Sequence, residues 1–131
     1  MRRALAVTAL AAALVAGCGD SEPSAEEQVR QTLDEFGRAT AAKDYQALCD
    51  RVFAPDLVKK LSQVGLPCEV AMQQSFEEVE NPRLTIGKVT VSPDEKRATA
   101  EVRTSATGQT PSQDKVELVP VKAGWRVSSL G

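Results

Sequence analysis

The spacing of the apolar residues changes once along this chain, at Asn81-Pro82, and that change limits the folds open to it. Before this point apolar side chains recur every three or four residues, which is the period of a helix with one buried face. After it they alternate with polar side chains, which is the period of a strand with one buried face. Helices followed by strands predict an α+β fold, in which N-terminal helices pack on a curved, mostly antiparallel sheet of four or more strands.

Capping and breaking residues define the first two helices. Ser24 and Glu27 have the spacing of a capping box, so the first helix is predicted to begin there and to continue to about Lys43. Asp44 is placed to cap a second, short helix. Pro55 ends that helix because proline cannot continue it.

Two further helices complete the first block. The third is predicted at residues 56–61, and Gly65 ends it, as glycine often does at a helix C-terminus. The fourth is predicted at residues 68–80. Its predicted buried face contains Cys68, Met72, Ser75 and Val79.

The second block contains four predicted strands, at residues 84–91, 98–104, 116 onward and 125–130. A β-bulge is expected at Gly87-Lys88, where the alternation shifts phase. Residues 105–113 are rich in small polar residues and are predicted to form a loop. Because proline cannot donate to a sheet ladder, the third strand is expected to be an edge strand, or to be bulged, at Pro120.

The first 18 residues have the layout of a secretory signal. Arg2 and Arg3 precede the uncharged run Ala4–Ala16, which is shorter than the roughly 20 apolar residues that span a bilayer. The segment Leu14–Cys18 resembles the lipobox of bacterial lipoproteins. That resemblance implies a signal peptide at residues 1–17, cleavage before Cys18 and lipid attached to Cys18. The alternative is an ordinary signal peptide followed by an incidental cysteine.

Cleavage at this point would leave a short tether and one domain. Residues 18–23 are predicted to be the lipidated cysteine and a flexible polar tether, and residues 24–131 a single domain. Loss of residues 1–17 removes two arginines and changes the formal net charge from −2 to −4. The mature protein is then expected at the outer face of the bacterial cytoplasmic membrane, or elsewhere in the cell envelope, anchored by the lipid on Cys18.

Two cysteines remain once Cys18 is assigned to lipid. Because a secretory signal leads to an oxidising compartment, Cys49 and Cys68 are predicted to form a disulfide. The alternatives are two buried free thiols and a catalytic thiol, which usually needs a histidine partner. The chain contains no histidine and no C-x-x-C pair, which disfavours a zinc site.

Composition excludes several classes of function. Sixteen basic residues against eighteen acidic ones argue against a strongly basic nucleic-acid-binding protein. The absence of histidine removes the commonest general base and metal ligand. The glycine-rich phosphate-binding motifs and the G-x-S-x-G nucleophile motif are also absent. No catalytic, cofactor-binding or metal-binding residue is therefore predicted, and no cofactor.

Three segments resemble the nuclear transport factor two-like superfamily, which includes the SnoaL-like proteins. Glu27–Leu33 with Ala42–Cys49 resembles the family's first helix and its turn into the second, and Phe53–Leu57 resembles the next helical corner. Ala123–Val127 resembles the closing strand. The resemblance implies a cone-shaped, cystatin-like fold that wraps a curved sheet around a helix and can enclose a pocket. Because activities vary widely in this superfamily, the fold does not specify a function.

The predicted pocket depends on small residues in the second strand. Ala98, Ala100 and Val102 are assigned to its inward face, where they either admit a closely packed helix or leave space for a ligand. Of the five aromatic residues, only Phe76 falls outside the predicted core faces and junctions. If space remains, the predicted pocket wall is Phe36, Tyr45, Val102 and Trp125.

These observations favour a lipid-anchored, non-catalytic accessory protein that binds a small apolar ligand or an envelope protein partner. The alternative is a SnoaL-like isomerase, cyclase or dehydratase acting on a hydrophobic small molecule, which would need an acidic residue buried in the cone. A third hypothesis is a module that forms a homodimer through its sheet, as relatives in this superfamily often do.

Overall fold

The computed structural model describes residues 22–131, so the predicted signal peptide (1–17), Cys18 and most of the tether lie outside the described residues. The helices are α1 (Ala25–Ala42), α2 (Tyr45–Ala47), α3 (Pro55–Gln63) and α4 (Cys68–Phe76), with a π-helical turn at Leu48–Val52 after α2. The strands are β1 (Arg83–Val91), β2 (Ala98–Ser105), β3 (Ser112–Val121) and β4 (Gly124–Leu130). The helices pack against one antiparallel sheet, which confirms the predicted α+β class.

Helix α1 begins and ends where its capping residues predict. The Ser24 hydroxyl accepts a hydrogen bond from the Glu27 backbone N–H at 3.2 Å. Lys43 ends the helix in the left-handed conformation, with φ of 55°. One face of the helix is buried, and it contains Val29, Thr32, Leu33, Phe36, Ala39 and Thr40.

A tight helical corner connects α1 to the last strand. The Asp44 carboxylate accepts from the Ala47 backbone N–H at 3.0 Å and so caps α2 as predicted. After the π-helical turn, Phe53 forms an isolated parallel bridge with Val127, and the Ala54 N–H donates to the Val127 carbonyl at 2.7 Å. The corner is therefore held directly against β4.

The predicted disulfide joins this corner to α4. Cys49 lies in the π-helical turn and Cys68 is the first residue of α4, and their Cα atoms are 6.0 Å apart across the bond. Both cysteines belong to the buried core. Helix α4 ends at Phe76, four residues before the predicted end, and Ser75 on its predicted buried face is exposed.

The sheet is a meander in the order β1-β2-β3-β4. In the β1–β2 ladder, Ile86 pairs with Val102 and Val89 with Ala100, so two residues of β1 face the single residue Glu101. This irregularity is the bulge predicted at Gly87-Lys88.

Pro120 does not lie in an edge strand, because β3 is between β2 and β4. The pairing with β2 extends only as far as Leu118, however, so at Pro120 the strand has β4 as its one neighbour. The irregularity in the β3–β4 ladder lies between Glu117 and Leu118 instead, opposite Ser128. Proline is tolerated here because β2 has already ended, which leaves β3 locally one-sided.

The small residues of β2 are used for packing. Ala98, Ala100 and Val102 are at most 3% exposed and belong to one core cluster with the buried face of α1. Close packing, rather than an internal cavity, therefore occupies the middle of the sheet.

Two contacts give the direction in which α1 runs along the sheet. In the first half of the helix, the Thr32 hydroxyl donates to the Trp125 carbonyl at 2.8 Å, at the beginning of β4. Farther along, a Cβ placed on Gly37 would be 3.6 Å from the Cβ of Leu84, at the beginning of β1. Because β1 and β4 run antiparallel, the tether leaves at one end of the domain and α1 finishes at the other.

Candidate functional site

An apolar groove opens at the end of the domain far from the tether. It lies between the second half of α1, the segment joining α4 to β1, and the connection from β2 to β3. Its volume is about 210 Å³. The residues that line it are Phe36, Gly37, Thr40, Phe76, Val79, Pro82, Arg83, Leu84, Thr104, Ser105, Ala106, Gln109, Thr110 and Ser112.

Aromatic and aliphatic side chains form one side of this groove. Phe36 is 8% exposed and packs edge-on against Phe53, with ring centroids 5.7 Å apart. Phe76 and Leu84 are half-buried and pack against the same core. Because Phe36 packs in the core, its ring is held in place where it lines the groove.

Hydroxyl and amide groups form the opposite side. Thr104 and Ser112 are cross-strand partners whose hydroxyls are hydrogen-bonded at 2.8 Å, and the Ser112 hydroxyl also donates to Asp114 at 2.9 Å. Gln109 and Thr110 line the groove from the connection that follows β2. The site thus combines an apolar surface with a few polar groups, which is the composition typical of small-molecule sites.

Two hydrogen bonds hold the β2–β3 connection against the segment that follows α4. The Thr107 backbone N–H donates to the Glu80 carbonyl at 2.9 Å, and the Asn81 amide donates to the Thr107 hydroxyl at 3.1 Å. Asn81 itself has a positive φ of 49°, a conformation that asparagine tolerates better than most residues. These contacts join two walls of the groove that are distant in sequence.

Arg83 is the charged residue among those that line the groove. The lining contains no carboxylate within the described part of the chain, so it presents no acid–base pair to a ligand. Residues 22–131 also contain no cluster of three or more potential metal ligands. The chemistry that this lining offers is apolar contact, hydrogen bonding and one positive charge.

Arg51 and Asp94, whose pKa values are shifted, both lie outside the groove. A hydrogen bond from Arg51 to Glu35, at 2.9 Å, and their Coulomb attraction raise the pKa of the Arg51 guanidinium. The Ser92 hydroxyl, 2.6 Å from Asp94, lowers the pKa of that carboxyl, with help from the Lys96 backbone N–H. Both shifts arise from surface contacts.

The four residues of the predicted pocket wall do not form one wall. Phe36 is the one that lines the groove. Trp125 is buried and borders a separate depression near the tether. Val102 is buried in β2, and the half-buried Tyr45 has a buried hydroxyl without a hydrogen-bond partner among the described residues.

Phe76 is the groove residue that the sequence could have indicated. It follows Met72 by four residues, the spacing that places two side chains on the same helical face. The spacing of Cys68, Met72, Ser75 and Val79 instead predicts Ser75 on that face, and Ser75 is exposed. Gln109 and Thr110 on the polar side carry no comparable signal, because they lie in the connection between β2 and β3.

No helix within residues 22–131 has the length and apolar character needed to cross a membrane. The anchor predicted at Cys18 lies outside this range and remains a prediction.

Comparison with known proteins identifies the fold but no family. No protein-family model matches the chain, and no curated protein matches it. The chain is similar to the crystal structure of the Kfla4162 protein from Kribbella flavida, with a TM-score of 0.56 and 20% sequence identity. The match covers 79% of this chain and 86% of that one. It supports the α+β architecture, which is consistent with a cone-like fold.

Proposed function

We propose that this protein is a lipid-anchored extracytoplasmic accessory protein that binds a small apolar ligand in the groove described above. The observation that carries the proposal is the lining itself, in which Phe36, Phe76 and Leu84 face a polar side of hydroxyls and amides. Such a lining removes apolar surface of a ligand from water and leaves a few polar groups to orient it. Binding without chemistry is favoured over the isomerase-type alternative because no carboxylate lines the described groove.

Filling the groove tests the ligand proposal. Ala106 lines the groove, so Ala106→Trp should occupy part of its volume. We expect a neutral naphthalene-based fluorescent probe to bind the wild-type protein and to bind this variant at least about tenfold more weakly, equivalent to about 1.4 kcal/mol. The fluorescence of the probe is the readout, because Trp125 does not line this groove.

Ala123→Trp is the matched control. It adds the same side chain in the turn between β3 and β4, at the other end of the domain. Equal probe affinities of the two variants would mean that the probe binds outside the groove. A wild-type protein that binds no probe would contradict ligand binding and favour the envelope-partner hypothesis.

The anchor is tested independently at Cys18. We expect Cys18→Ser to release the protein from membranes or to leave its precursor uncut, because the lipobox cysteine carries the lipid. Ser21→Ala is the control, since it changes the tether without changing the cysteine. A Cys18→Ser protein that is still processed and still bound to membranes would contradict lipid attachment.

A further inference from the structure

The tether leaves the domain beside the turn that connects β3 to β4. The Gln28 amide donates to the Pro23 carbonyl at 2.9 Å, which holds the end of the tether against α1. Pro23 lines a shallow depression together with Ala123 and Arg126. The chain that leads back to Cys18 therefore starts at this turn.

A second, broader depression adjoins the first and shares Ala123 and Arg126 with it. One face of α3 forms its opposite side, and the residues of that face are Pro55, Val58, Lys59 and Ser62. Three cations line the depression, Lys59, Lys122 and Arg126, against one carboxylate, Asp50. This local excess of positive charge contrasts with the formal net charge of −4 for a chain without residues 1–17.

Helix α3 is amphipathic but incompletely buried. Leu57 and Leu61 are half-buried and pack on the core, and none of the nine residues of α3 is fully buried. Val58 is half-buried at the depression, and Val64, the residue after the helix, is 74% exposed. Val58 and Val64 thus leave apolar surface beside lysines, a combination that suits contact with lipid headgroups.

The length of the tether limits how far this surface can be from an anchor. Pro23 is the fifth residue after Cys18, and a fully extended chain of five residues spans no more than about 18 Å. The 18-residue helix α1 then spans about 27 Å towards the groove. The tether therefore permits the α3 surface to reach the headgroups while the groove opens at the other end of the domain.

We propose that α3 and the β3–β4 turn, called here the anchor face (Pro55–Val64 and Val121–Arg126), rest on a bilayer containing anionic phospholipid. This inference depends on the lipid proposed for Cys18. Lys59, Lys122 and Arg126 provide the attraction to anionic headgroups, and the acidic remainder of the domain is repelled by them. In this orientation the groove opens away from the membrane, so it receives its ligand from the aqueous side.

Lysine labelling on vesicles tests the orientation. The chain from Cys18 onward contains every described residue, and its Cys18 thiol can be coupled to a maleimide-bearing lipid, since Cys49 and Cys68 are joined in the disulfide. This coupling fixes the anchor whether or not cells acylate the cysteine. A membrane-impermeant amine reagent then reports the accessibility of each lysine on phosphatidylcholine vesicles with and without phosphatidylglycerol.

We expect Lys59 and Lys122 to react at least about threefold more slowly on the anionic vesicles than on the neutral ones. Lys88 and Lys115, in β1 and β3, should react at the same rate on both. High salt should abolish the protection, because it screens the attraction to the headgroups.

Charge-reversal variants show whether the protection depends on this surface or on the net charge of the protein. The Lys59→Glu/Lys122→Glu variant should lose the headgroup contact. We expect the backbone amides of its α3 to exchange hydrogen at the same rate on anionic and neutral vesicles. The Lys88→Glu/Arg103→Glu variant, with the same net charge, should keep the headgroup contact. If Lys59 and Lys122 react at the same rate on the anionic and the neutral vesicles, the anchor face is overturned. Failure of the labelling prediction would not affect the ligand-binding proposal. Failure to acylate Cys18 in cells would instead contradict the proposed function.

Discussion

The disulfide is the residue-scale feature with the largest expected effect on stability. Cys49 and Cys68 are 19 residues apart, and a loop of this size stabilises the folded state by about 3 kcal/mol in the chain-entropy model. We expect Cys49→Ala/Cys68→Ala to lower the free energy of unfolding by about this amount, measured by urea denaturation. The oxidised and reduced wild-type protein provide the matched comparison. Equal stability of these two forms would contradict a structural role.

Asp94, in the turn between β1 and β2, makes a contribution to stability that depends on pH. Because the Ser92 hydroxyl lowers the pKa of this carboxyl, its contribution to stability is present above the ordinary pKa of aspartate and is lost as the pH falls through the lowered pKa. We expect Ser92→Ala to raise the Asp94 pKa towards the ordinary value, as measured by NMR titration. Ser128→Ala, in β4, should leave the titration unchanged. An unaltered Asp94 pKa in Ser92→Ala would exclude the hydroxyl as the cause.

Individual residues also explain why the candidate site was only partly predictable. Phe36 was found because its spacing from Val29 and Leu33 marks a buried helical face. Trp125 is also aromatic and buried, yet it borders the depression near the tether and does not line the groove. The sequence does not specify how a helix is placed along a sheet, and that placement decides which residues share a wall.

At the scale of elements, predictions succeeded where a local residue fixes the backbone. The Ser24 cap, the Asp44 cap and the bulge at Gly87 were each predicted from neighbouring residues and are present. The expectation of an edge or a bulge at Pro120 was wrong in detail. Whether a proline is tolerated depends on where the neighbouring strand ends, and the pairing of β2 stops two residues earlier.

The bulge at Gly87 is expected to need glycine. A Cβ at this position would lie 3.2 Å from the carbonyl oxygen of Glu101, so the backbone of β1 or β2 would have to move. We expect Gly87→Val to lower the free energy of unfolding by about 1–3 kcal/mol, the usual cost of overpacking. Lys88→Val, at the exposed neighbouring position, should have a much smaller effect in the same urea denaturation experiment. Equal effects of the two substitutions would contradict a steric requirement.

At the scale of the whole molecule, the two ends of α1 separate two surfaces with different chemistry. The end near the tether carries the cations of the anchor face, and the far end opens into the groove between Phe36 and Thr104. A lipid on Cys18, as proposed, would keep this layout close to a membrane while its groove remains accessible to solvent. Lipid attachment, headgroup contact and ligand binding are therefore expected to respond to separate substitutions.

The charged residues on the outer face of the sheet limit how the predicted homodimer could form. Its central cross-strand pair joins Glu101 to Lys115, and Arg103 and Glu117 lie on the same face. A symmetric dimer through this face would depend on ion pairs between exposed groups, which contribute little and are screened by salt. We therefore expect any dimer through the sheet to dissociate between about 0.02 M and 0.5 M salt, measured by light scattering. Lys115→Glu should weaken it at low salt, and Lys59→Glu should not. A dimer that persists at high salt would use another surface.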